Sequence, residues 1–207
     1  MSLVILGMTA AGLVLIRWRD LEIRIGKKEG LAVLGASVLG SVLNGWLLGQ
    51  GALFARLSLS LFIGCLLLAC VTDMAICQVY NFVWLVSGAA VVMLLADRKR
   101  EIAIVWEILL FCVIQMVLFA RMYGKADCYA FCACAAAEAG LGAGMRGFLI
   151  HMLVSFLLLA AVQVMRKNIG SRGRLKKPVP FLPYIAAGFY IMLVFMKICD
   201  EIVVPLS

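Results

Sequence analysis

The chain of 207 residues has few charged side chains. Asp, Glu, Lys and Arg make up 14% of it, against about 25% in an average soluble domain. Apolar residues make up 65%, where about 45–50% is usual. A soluble protein of this size could not cover so much apolar surface, and a disordered chain would not carry it. The composition excludes both classes and predicts an integral membrane protein in contact with a lipid bilayer.

The chain also lacks the patterns of a metal site, a disulfide framework and a cleaved secretory signal. It has one histidine, His151, and no CxxC pair, and most of its eight cysteines lie inside apolar runs. Cysteine there behaves as a small apolar residue, so we expect no metal and no cofactor. Residues 1–20 have neither a basic start nor a small-residue cleavage site, and we interpret them as a retained first span.

Long apolar runs make up most of the sequence. A spanning helix needs about 20 mostly apolar residues, and no segment alternates like a barrel strand. About eight transmembrane helices are predicted, at 1–18, 30–49, 57–73, 80–96, 102–120, 127–145, 147–165 and 181–199. The expected fold is an all-α polytopic membrane helix bundle. It is a single domain over 1–207, because too few residues lie outside the spans to form another.

The charges between the spans predict an orientation. The connections at 17–29, 74–79, 121–126 and 166–180 hold thirteen Lys and Arg residues, and the connections on the opposite side hold five. The positive-inside rule therefore places the first set in the cytoplasm and both termini outside. These loops account for the net charge of +8, so no nucleic-acid partner is expected.

Ionisable residues at membrane depth are costly and indicate functional sites. Asp73 and Asp127 both lie at predicted cytoplasmic ends of their helices. Two carboxylates within hydrogen-bond reach do not ionise easily together. The charged one can take a proton from water while the protonated one polarises a peptide carbonyl. The alternative interpretation is that each aspartate is an ordinary helix-end residue in headgroup water.

Glu138 follows Asp127 by eleven residues, close to three helical turns, so both acids project from one helix face about 16 Å apart. One interpretation is a polar residue that supports the Asp127 site. The preferred one is a structural hydrogen bond to a neighbouring helix. A structural role is also expected for Glu107.

Three short sequence motifs follow one another along the chain. The first runs from Asp73 through a short loop to Asn81, the second is Gly124-Lys125-Ala126-Asp127, and the third, Leu175–Gly188, has a Pro-Phe-Leu-Pro sequence. Together they resemble the prepilin peptidase family of membrane aspartyl proteases over about residues 57–197. In that family the second segment reads Gly-x-Gly-Asp, and the third opens the last helix.

The resemblance implies a membrane aspartyl endopeptidase of the bacterial cytoplasmic membrane. Such an enzyme removes the short basic leader of type IV pilin-like precursors at the cytoplasmic face, with Asp73 and Asp127 as the catalytic pair. The sequence has no counterpart of the cysteine-rich zinc region linked to methylation in many members, so a compact peptidase without methyltransferase activity is expected. Two positions depart from the pattern: Ala126 replaces the second glycine, and Tyr129 stands where many members have lysine.

Two alternatives remain open. The departures at Ala126 and Tyr129 favour a divergent or inactive paralogue of the same family. A small proton-linked transporter would use the same acids as a relay, although no ionisable series crosses the predicted bilayer. No feature of the sequence indicates an oligomeric state.

Overall fold

A computed structural model describes residues 1–19, 27–48, 53–98, 102–168 and 179–203. Within these ranges the chain is helical and has no strand, which confirms the all-α expectation for this part of the molecule. The helices are α1 (Ser2–Arg19), α2 (Lys27–Leu48), α3 (Leu53–Ile76), α4 (Asn81–Arg98), α5 (Ile102–Ile114) followed by a π-helical segment (Gln115–Phe119), α6 (Lys125–Leu141), α7 (Met145–Asn168) and α8 (Leu182–Val203).

Each predicted span overlaps one of these helices, but only some have the length and hydropathy to cross a membrane. Four do: Gly30–Leu48, Leu53–Ile76, Met145–Met165 and Leu182–Cys199. Three more apolar helices are shorter, at Leu3–Val14, Asn81–Ala96 and Ala103–Phe119. Four long apolar helices indicate a membrane protein. The connections at 20–26 and 169–178, which hold many of the predicted loop charges, lie outside the described residues.

α3 is the central helix of the bundle. It packs against α1, α2, α4, α6 and α8. Its most apolar stretch is 72% buried inside the protein, whereas that of α7 is 17% buried. α3 extends to Ile76, three residues beyond the predicted span. It ends there because Cys77 takes a left-handed conformation with φ 53°, and its N–H donates to the Asp73 carbonyl at 2.9 Å.

α6 also lies inside the bundle, as its many Ala, Gly and Cys residues predict. It contacts α3, α4, α5, α7 and α8. Gly140 lets α4 approach closely, because a Cβ at that position would lie only 2.8 Å from Leu94 Cγ. The two most interior helices, α3 and α6, are therefore the ones that carry Asp73 and Asp127.

Candidate active site

Asp73 lies in the last turn of α3 and is half-buried. Its Oδ2 accepts a hydrogen bond from the backbone N–H of Leu182 at 3.2 Å, and the backbone of Phe181 also bonds to the carboxylate. The first N–H groups of a helix have no partner within it, so a carboxylate there satisfies them and interacts favourably with the helix dipole. Asp73 thus caps the N-terminus of α8.

Asp127 lies in the first turn of α6 and is also half-buried. The helix begins two residues before the predicted span because Gly124, with φ 107° and ψ 156°, holds a backbone conformation open essentially to glycine alone. A Cβ on Gly124 would lie 3.5 Å from Asp127 Oδ2, so the carboxylate lies beside the start of the helix.

The structure brings Asp73 and Asp127 to the same end of the bundle. α3 packs against α6, and the two carboxylates are close enough for the charge on Asp73 to act on Asp127. Both side chains are partly exposed, so water can reach the pair. This is the arrangement that the sequence predicted from the two helix ends.

The other motif residues lie near the starts of α4 and α6. Asn81 begins α4 and is exposed, and Lys125 is exposed in the first turn of α6. Ala126 is helical, and the positive φ in this motif belongs to Gly124, so alanine causes no backbone strain. Tyr129 is 40% exposed and packs its ring against Trp84, with a centroid distance of 6.3 Å.

Glu138 is fully buried about three turns deeper in α6, where it pairs with His151 of α7. Glu138 Oε1 lies 2.7 Å from His151 Nδ1, and His151 Nε2 lies 2.9 Å from the carbonyl oxygen of Ile185 in α8. Because a carbonyl only accepts, Nε2 carries a proton, and a second proton is shared between Nδ1 and Glu138. The pair therefore has no net charge and joins three helices.

Glu107 has a structural role at the opposite end of the bundle. Its Oε2 accepts a hydrogen bond from the N–H of Met145 at 2.6 Å and so caps α7. The sequence indicated a structural role for this acid without indicating its partner.

The sequence did not predict the cap that Asp73 gives to α8. One signal was present: the residues before Leu182 are Val179, Pro180 and Phe181, none of which can cap a helix with its own side chain. A helix start without a local cap must be satisfied from elsewhere. Pro183 fits this position, since a first-turn residue needs no N–H donor.

Among the described residues, no group of three or more His, Cys, Asp or Glu side chains is placed to hold a metal ion. No protein-family model, curated protein or solved structure matches this chain.

Proposed function

We propose that the protein is a membrane aspartyl endopeptidase of the prepilin peptidase type. The observation that carries the proposal is the meeting of Asp73 and Asp127 at one end of the bundle, each half-buried at a helix end. The ordered set of three motifs supports it. Pilin-like precursors with a short basic leader are the substrates that this resemblance implies.

The chemistry follows from two neighbouring carboxyl groups, one charged and one protonated. The charged group takes a proton from water as the water oxygen bonds to the peptide carbon, and the protonated group polarises the carbonyl oxygen. The C–N bond then breaks as the nitrogen takes up a proton. We assign the charged role to Asp73, because the N–H groups at the start of α8 stabilise negative charge there.

The proposal includes the membrane arrangement. Eight helices cross the bacterial cytoplasmic membrane with both termini outside, and the three shorter apolar helices and α6 are counted among the spans. The balance of Lys and Arg in the connections supports this orientation. The aspartate pair then faces the cytoplasm, where the leader of a membrane-inserted precursor would lie.

The test is co-expression with pilin-like precursors from the same genome, with cleavage read as a gel shift. The wild-type protein is expected to cleave, whereas Asp73→Asn and Asp127→Asn are not. Lys125→Gln, an exposed neighbour on the same turn as Asp127, is the matched control and should retain cleavage. Membrane levels of every variant are compared by immunoblot. Cleavage by either aspartate variant would contradict the two-carboxylate mechanism, and no cleavage by inserted wild type would favour a divergent paralogue.

Proton-linked transport is the second candidate, favoured by one observation. Glu138 Oε2 is buried without a hydrogen-bond partner among the described residues, so an ionisable group lies deep in the bundle. Reconstituted vesicles distinguish the two functions. Transport requires that the wild-type protein dissipates a proton gradient and that Glu138→Gln does not, whereas a peptidase leaves the gradient intact in both.

A further inference from the structure

The ring of Tyr123 lies at the centre of a group of aromatic side chains. It contacts Phe119, Phe131, Phe156 and Phe181 with centroid distances of 5.7, 5.8, 5.5 and 5.7 Å. Phe131, Phe156 and Phe181 also contact one another at 5.1–6.2 Å. We call these five residues the aromatic cluster. Four of the pairs are edge-to-face and the others are stacked or tilted. Such aromatic pairs add about 0.5–1.5 kcal/mol each beyond apolar burial, so the cluster forms a rigid contact.

The cluster joins the chain segment that carries Asp127 to the chain segment whose backbone binds Asp73. Tyr123 directly precedes Gly124, which sets the start of α6 and the position of Asp127. Phe181 directly precedes Leu182, whose N–H holds Asp73. The edge-to-face contact between Tyr123 and Phe181, with an interplanar angle of 79°, therefore bridges the two supports.

The hydroxyl group of Tyr123 is also held in place. It donates to Oε1 of Gln115, which is buried in the π-helical segment after α5. Gln115 in turn is held by α6, because the backbone carbonyl oxygen of Gln115 accepts a hydrogen bond from Cys128 Sγ at 3.3 Å. Burial raises the pKa of the Tyr123 hydroxyl, so it remains a protonated donor at neutral pH. A π-helical turn at this point agrees with the frequent use of such turns at functional sites.

From this geometry we propose that Tyr123 is a positioning residue that sets the separation of Asp73 and Asp127. It acts through Gly124 and Phe181, the residues next to the supports of the two aspartates. Its ring fixes the start of α6 against the start of α8, and its hydroxyl fixes the ring. The effect on cleavage rests on the proposed function, but the effect on the separation does not.

The separation is tested directly by cross-linking in membranes. Native Cys77, one turn after Asp73, is paired with Lys125→Cys, in the same turn as Asp127. The protein keeps both aspartates and the buried Cys128, has its other six native cysteines replaced by alanine, and carries a protease site between Arg98 and Ile102. A short bifunctional methanethiosulfonate should join the two halves, which then stay together after proteolysis. Failure of this parent protein to cross-link would overturn the proposal, because the pair would not be adjacent.

Variants of Tyr123 are then compared with variants of a matched tyrosine. Tyr190 is also buried in the bundle, contacts Phe189, and donates its hydroxyl to the Ala36 carbonyl at 3.0 Å, away from the aspartates. Tyr123→Leu is expected to reduce cross-linking several-fold, and Tyr190→Leu to leave it unchanged. Tyr123→Phe keeps the ring contacts and should restore most of the cross-linking. Equal cross-linking in Tyr123→Leu and the parent, or equal losses in Tyr123→Leu and Tyr190→Leu, would overturn the proposal.

Cleavage kinetics in the otherwise wild-type protein complete the test. Because misplacing catalytic groups by about 1 Å can cost about 100-fold in rate, Tyr123→Leu is expected to lower kcat by up to about that factor and to leave KM nearly unchanged. A rise in KM with unchanged kcat would contradict a positioning role. If wild type does not cleave but the cross-linking results hold, the proposed function fails and the positioning role stands.

Discussion

Asp73 Oδ2 accepts a hydrogen bond from the backbone N–H of Leu182 at 3.2 Å, so the end of α3 caps the start of α8 across 109 residues of chain. The same carboxylate is one of the two proposed catalytic groups. Substitutions at Asp73 therefore change both the packing of two helices and the chemistry. The two effects separate only if one variant keeps a hydrogen-bond acceptor in place.

Asp73→Asn and Asp73→Ala make that separation. Asparagine keeps an acceptor for Leu182 but cannot take a proton from water, so cleavage should fall about 10²–10⁴-fold with little change in stability. Alanine removes the cap as well and should lower the free energy of unfolding by a further ~1 kcal/mol. Cleavage assays and thermal unfolding in detergent measure the two effects. Equal stability of the two variants would show that the cap contributes nothing.

The sequence predicted the helices and the placement of Asp73 and Asp127 at helix ends because both depend on local or nearly local patterns. Long apolar runs predict helices, and the alternation of spans places two helix ends on one side. The hydrogen-bond partner of each acid could not be predicted in this way. Whether Leu182 faces Asp73, or His151 faces Glu138, depends on the rotation and depth of packed helices, which one chain segment does not encode.

Gly124→Ala tests the start of α6. The conformation at φ 107° and ψ 156° is costly for alanine by about 1–3 kcal/mol, and relaxing it would move Asp127. Cleavage and thermal stability should both decrease. Gly88→Ala is the matched control: Gly88 is exposed in α4 with nothing within 4 Å of an added Cβ, so it should be neutral or slightly stabilising. Equal effects of the two changes would contradict the backbone argument.

The Glu138–His151 pair should be strongly coupled. His151→Ala leaves Glu138 buried without its partner, and loss of one member of such a pair costs about 3–5 kcal/mol. Glu138→Gln can donate its amide N–H to Nδ1 while Nε2 still donates to the Ile185 carbonyl, so it should cost less, with cleavage largely retained. A double-mutant cycle of Glu138→Leu and His151→Phe, followed by unfolding in detergent, measures the coupling. Additive losses would show that the two residues act independently, and full loss of cleavage in Glu138→Gln would overturn the structural role.

Gly188→Ala tests the close contact of α7 and α8 beside His151. An added Cβ would lie 2.4 Å from Ser155 Oγ and 2.8 Å from His151 Cδ2, so the helices must separate. We expect a loss of about 1–3 kcal/mol. Adding Ser155→Ala should restore only part of it, because the His151 contact remains. Gly35→Ala in α2, where an added Cβ meets nothing within 4 Å, is the control and should not destabilise the protein.

The proposed orientation predicts which side of the membrane each connection faces. Cys77 is exposed between α3 and α4, at the end of the bundle that holds Asp73. Arg146 is exposed at the start of α7, next to Met145, whose N–H donates to Glu107. This is the end of the bundle opposite to Asp73. With the other native cysteines replaced by alanine, a membrane-impermeant maleimide should label Cys77 only after permeabilisation. Arg146→Cys, with Cys77 also replaced, should be labelled in intact cells. The reverse pattern would turn the aspartate pair away from the cytoplasm and contradict cleavage there. Labelling of both from one side would contradict three membrane crossings by α4, α5 and α6, which lie between the two positions.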